Sequence, residues 1–67
     1  MKIDVVKVWV DDVHVNIQTA NGQIKSEKIA DYYRLRNATP EQRQNFEYDN
    51  MGIHWLELDE DLSYEGF

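Results

Sequence analysis

Cysteine is absent from the 67 residues, so neither a disulfide nor a thiolate metal site can staple the fold. Proline occurs once and glycine three times, far from the composition of a linker or disordered tail. No apolar run approaches the roughly 18 residues of a membrane span. The opening Met1-Lys2-Ile3-Asp4 carries no apolar stretch of signal-peptide length, so a cytoplasmic protein without membrane contact is expected. On that reading the Asn37-Ala38-Thr39 sequon, which Pro40 follows directly, stays empty. Lysine and arginine are missing after Arg43, where seven acids give a local balance of −7. Up to Arg43, seven Lys or Arg stand against six Asp or Glu. Phosphate backbones are held by clustered cations, so the C-terminal third would repel nucleic acid. The weak basic run from Lys25 to Arg43 is interrupted by Glu27, Asp31 and Glu41. Direct nucleic-acid binding is therefore not expected.

Hydrophobic residues at 42% and charged residues at 30% match a folded, water-soluble unit. A chain this short buries only roughly 60% of its unfolded surface. That leaves little room for a ligand pocket of about 300 Å³ or more, which disfavours most enzymes. With no linker, repeat or low-complexity tract, residues 1–67 form one expected domain. Its stability must come from packed rings, and Trp9, Trp55, Tyr32, Tyr33, Phe46, Tyr48, Tyr64 and Phe67 are expected mostly in the core.

Ile3 to Val10 is rich in β-branched residues, and its apolar positions switch parity between Val5 and Val6, which predicts a strand with a bulge or one covered on both faces. Asp11-Asp12 supplies a turn. Val13, Val15 and Ile17 alternate with His14, Asn16 and Gln18, the period of a strand with one wet face. Asn21-Gly22 predicts a type I′ hairpin turn and a third strand over about Gln23 to Lys28. Ile29, Tyr32, Tyr33 and Arg36 then fall at helical spacing. Thr39-Pro40-Glu41-Gln42 is a capping box with proline at the first helical position, opening a helix over about Pro40 to Asn45. Phe46-Glu47-Tyr48, a turn at Asp49 to Gly52, and Ile53-His54-Trp55 predict a second hairpin. Ser63 is expected to cap a last turn. The fold class is α+β: a three-stranded antiparallel meander, one or two short helices and a C-terminal β-hairpin.

No catalytic or metal constellation is legible. His14 and His54 sit in no H-x-x-x-H frame and are expected as ordinary wet-face or packing residues. Asp59-Glu60-Asp61 lacks the spacing of a calcium loop and reads first as a solvated loop that caps a helix N-terminus, then as a protein-facing acidic patch. Ser63 with His54 and an aspartate lacks the glycines of a nucleophile elbow. A metal-assisted hydrolase using His54, Asp59 and Asp61 is the remotest reading. An aromatic beside carboxylates, such as Tyr64 or Phe67 near Asp61 and Glu65, suits an interface against a basic partner.

Gly52-Ile53-His54-Trp55-Leu56-Glu57-Leu58-Asp59-Glu60-Asp61-Leu62-Ser63 strongly resembles the hallmark Gly-Ile-His-Trp-Pro-x-Leu-Asp-Glu-Asp-Leu-Ser of a small bacterial family, domain of unknown function 2442. Leu35 to Arg43 is similar to that family's Leu-x-x-Ala-Thr-Pro-Glu-Gln-Arg segment, and the resemblance spans nearly the whole chain. Leu56 stands where proline is usual, Tyr33 replaces another common proline, and Gly66-Phe67 replaces a terminal Leu-Leu. The resemblance implies a small α+β unit, in some members fused to a helix-turn-helix and often encoded beside a second small domain in a toxin–antitoxin-like pair. It brings no established activity. It also implies a folding role for the hallmark, with His54 and Trp55 in a strand and Asp59 and Asp61 holding backbone amides.

The expected function is a non-enzymatic module, without cofactor, whose acidic C-terminal third covers a basic partner protein and inhibits it. Glu47, Asp49, Glu57, Asp59, Glu60, Asp61, Tyr64 and Glu65 are the expected contacts. The partner would be a toxin, with this chain as antitoxin, or a nucleic-acid-binding effector such as a nuclease or CRISPR enzyme blocked by a DNA mimic of phage type. The alternative is a structural or regulatory accessory domain with no inhibitory role.

Overall fold

Side-chain parity in six short strands turns two sets of apolar residues toward each other. The computed structural model describes residues 4–67, so Ile3, expected in the first strand, lies outside the described residues. Strands β1 (Val5–Val10), β2 (His14–Thr19) and β3 (Ile24–Lys28) form one antiparallel sheet in the order β1-β2-β3. A 3₁₀ turn at Ile29–Asp31 and helices α1 (Tyr33–Arg36) and α2 (Pro40–Gln44) lead to a second antiparallel sheet. That sheet is built from β4 (Glu47–Tyr48), β5 (Gly52–Trp55) and β6 (Glu60–Ser63), in the order β4-β5-β6. The fold is the expected α+β domain, with the C-terminal hairpin enlarged to three strands.

The parity switch in β1 is a bulge, where the register shifts between Val5 and Lys7. Val8 and Val10 then face Ile17 and Val15 of β2. All four are buried, and they form the core with Ile29, Leu35, Ile53, Trp55, Leu62 and Tyr64. Trp55 is anchored twice: its indole N–H donates to the Arg43 carbonyl at 2.9 Å, and its ring packs at 6.0 Å from Phe46. Those bonds tie β5 to the end of α2. The capping box forms as read, with the Thr39 hydroxyl accepting from the Gln42 amide at 3.1 Å and the Gln42 side chain accepting from the Thr39 amide at 2.9 Å. Gln44 extends the helix to the first sheet by donating to the Val10 carbonyl at 2.7 Å.

Three local expectations are corrected. The Asn21-Gly22 hairpin is not type I′, since only Gly22 takes positive φ, at 88°. Thr19 and Gln23 close a three-residue loop, a form in which a single left-handed glycine follows a type I turn. Val13 lies in the β1–β2 turn, 56% exposed, because Asp11 Oδ1 accepts from the Val13 and His14 amides and starts β2 at His14. Asn16 is buried on the expected wet face, its amide bonded to the Trp9 carbonyl, Asp11 and Ser26.

Candidate protein-binding surface

The outward face of the second sheet is built by register. Glu47, His54 and Asp61 are cross-strand partners on β4, β5 and β6, so their side chains share one face. The same register turns Ile53 and Leu62 inward. Gly52 on β5 has no side chain because none fits: a β-carbon there would lie 2.3 Å from the Leu62 carbonyl oxygen.

Asp49 enters this face from the β4–β5 turn. Its Oδ1 accepts from the Met51 amide at 2.8 Å and the Gly52 amide at 3.1 Å, while Oδ2 lies 3.0 Å from His54 Nε2. The Met51 amide, the imidazole and the Gly52 amide together hold its carboxyl below the ordinary carboxylate value. On the other side of the ring, His54 Nδ1 lies 2.7 Å from Asp61 Oδ1. Bonds to Asp61 first and Asp49 second raise the imidazole above its usual 6.5. His54 is thus clamped between two carboxylates, an arrangement that H-x-x-x-H spacing could not reveal. The hallmark's folding role falls differently from what the resemblance implied. His54 and Trp55 do lie in a strand, but the amides are held by Asp49, and Asp61 holds the imidazole.

Asp59 has a third role. It takes positive φ, at 53°, to close the β5–β6 turn, a conformation aspartate tolerates better than most residues. Arg34 donates to its carbonyl and lies 3.9 Å from its carboxylate, the one contact between an arginine or lysine and the acids of the C-terminal third among the described residues.

The eight expected contact residues therefore divide. Glu47, Asp49 and Asp61 share the outer face, Glu57 and Asp59 sit in the β5–β6 turn, and Glu65 lies in the final 3₁₀ turn, Tyr64–Gly66, which Ser63 caps as expected. Glu60 pairs with Trp55 on the core side and is half-buried. Tyr64 is a correction: it is 2% exposed, and its hydroxyl donates to the Asp49 carbonyl at 2.6 Å, so it belongs to the core. Phe67 also packs against the core. The apolar groups that reach solvent in this half are Tyr48, Met51 and Leu56. Alternation over Asp61-Leu62-Ser63-Tyr64 was the signal that could have placed β6, and Tyr64 with it, inside.

Glu57 also lines an open surface concavity of about 470 Å³ with Thr39, Glu41, Gln42 and Asn45. Among the described residues no three His, Asp or Glu side chains are placed to hold a metal ion. Of the hydrolase trio, Asp61 meets His54, while Asp59 turns to Arg34. No described helix is long and apolar enough to cross a membrane.

The chain belongs to the family described as "Protein of unknown function (DUF2442)", whose family model matches residues 5–67. A crystal structure of a protein of unknown function from Rhodospirillum rubrum is similar, with a TM-score of 0.83 at 26% identity over 98% of this chain and 84% of that chain. The comparison with curated proteins gives no match.

Proposed function

We propose that this chain is a non-enzymatic cytoplasmic protein-binding module whose second sheet and its turns cover a basic surface of a partner protein and inhibit it. The observation that carries the reading is the unneutralised charge of that half. Of its seven carboxylates only Asp59 meets an arginine or lysine among the described residues. Met51 and Leu56, exposed in the turns before and after β5, supply apolar contact that charge alone does not, and Tyr48, on the Ile53 side of edge strand β4, adds a half-exposed ring. Glu41 and Glu57 both line the open concavity, which adds two carboxylates to the surface offered to a basic partner. Carboxylates steer the encounter and set its register, while the apolar neighbours supply most of the affinity. A toxin paired with this chain, or a nucleic-acid-binding effector whose groove it fills as a DNA mimic, would both present such a surface.

A second reading, a structural accessory domain, draws support from the internal work of Asp49 and Asp61 on His54. The two readings part on Glu47, Glu57 and Glu65, whose carboxylates accept no hydrogen bond among the described residues. Affinity capture with the tagged wild type and with the E47Q/E57Q/E65Q variant separates them. A basic protein recovered with the wild type and depleted with the variant supports the binding module. Equal recovery by both, or no basic protein with either, removes it.

A further inference from the structure

We propose that His54 is a proton-operated staple between the β4–β5 turn and the edge strand β6, so that pH sets how readily β6 opens. The warrant is geometric. Both ring nitrogens face carboxylate oxygens, Nδ1 at 2.7 Å from Asp61 and Nε2 at 3.0 Å from Asp49. An ionised carboxylate only accepts, so both contacts are hydrogen bonds only when the ring carries both protons. A neutral ring keeps one N–H and turns a lone pair toward the other aspartate.

The two aspartates are not equivalent. Asp49 is also held by the Met51 and Gly52 amides, so its carboxylate stays in place when the ring loses a proton. Asp61 has no hydrogen bond to its carboxylate other than from His54 among the described residues, and its side chain is 71% exposed. It can turn into water. Deprotonation therefore gives up the β6 contact and keeps the turn. The charged groups on the ring's face are Asp49 from the turn, Asp61 from β6 and Glu47 from β4, and strands β4 to β6 contain no lysine or arginine. Asp61 and Asp49 favour the imidazolium, in line with its raised pKa. The staple is closed below the ring's ordinary 6.5 and is lost as pH rises through the higher folded value. Leu62 and Tyr64 remain buried, so β6 loosens at its outer side rather than detaching. This device stands apart from the binding reading and needs no partner.

Amide exchange measured by NMR at pH 5.5 and 8.5, corrected for intrinsic rates, tests it in the full chain. In the wild type the opening constants of the β5–β6 ladder should rise by roughly two- to fivefold at the higher pH, the scale of an exposed ion pair, while those of β1–β3 stay level. His54→Gln should abolish the response, and Asp61→Asn, which keeps the ring, should abolish it too and lower the His54 titration midpoint. Equal opening constants at the two pH values in the wild type would overturn the proposal. So would a change spread evenly over both sheets, or a response retained in both variants.

Discussion

Gly52 of β5 and the Leu62 carbonyl of β6 are in such close approach that a β-carbon at position 52 would stand 2.3 Å from the oxygen. The obstacle is backbone, which cannot swing aside as a side-chain tip can. Gly52→Ala must push β6 away, disturbing Leu62, which is buried behind it. The expected cost is about 1–3 kcal/mol, the range of overpacked sites. Urea unfolding of the variant should show a lower midpoint at unchanged slope.

Leu56 occupies the second position of the turn in which the Leu58 amide donates to the Trp55 carbonyl at 3.2 Å. Proline is favoured at that position of a type I turn, and proline is the residue usual there in the family hallmark. None of the loop's backbone hydrogen bonds uses the Leu56 amide, and the residue is 72% exposed. Leu56→Pro should therefore stabilise the chain by about 0.4–1 kcal/mol by restricting the unfolded state. Thermal unfolding reads this as a rise in Tm of a few degrees, and a fall would show that the turn rejects the proline ring.

The stability profile should fall at alkaline pH because of Tyr64. Burial pushes its phenol up to about 12, against 10 when unfolded. The contribution of the neutral ring is whole below pH 10 and is lost as pH rises toward about 12. Tyr64→Phe removes its share of this limb and leaves that of Tyr32, whose phenol is also raised by burial and Glu27. It also loses the hydrogen bond to the Asp49 carbonyl, at a cost of about 0.5–1.5 kcal/mol near neutrality. Denaturation at pH 7 and at pH 11 separates the two effects.

At acid pH the sign reverses. Asp49 is held below 3.8 by the Met51 amide, His54 and the Gly52 amide, and Asp11 by the Val13 and His14 amides and the Asn16 side chain. Stability from both carboxylates is complete above 3.8 and disappears as pH falls through their lowered folded values. Asp49→Asn can still cap the turn through its amide oxygen but cannot titrate. Its urea midpoint should change less than that of the wild type between pH 5 and pH 2.

The first sheet and α2 were legible because their signals are local: alternation at Val15 and Ile17, a parity switch in β1, and the Thr39–Gln42 box. The turn after β2 is not encoded by Asn21-Gly22 alone, a pair that marks a two-residue loop where Thr19 and Gln23 close three. β6 is hard to read because the charge run Asp59-Glu60-Asp61 overlaps its start and masks the alternation that follows. Asp49, His54 and Asp61 come together only through the register of two hairpins, which spacing along the chain does not encode. Tyr64 follows the same register into the core, away from the surface that its position beside Asp61 and Glu65 suggests.

The central claim is that the carboxylates of the second sheet and its turns bind a basic protein. Its most direct test is the affinity for the captured partner, measured in rising salt for the wild type and for E47Q/E57Q/E65Q. The wild type should weaken steeply between low and physiological salt, with roughly tenfold weaker and flatter binding by the variant, chiefly through slower association. Affinity that is independent of salt and unchanged in the variant would contradict it.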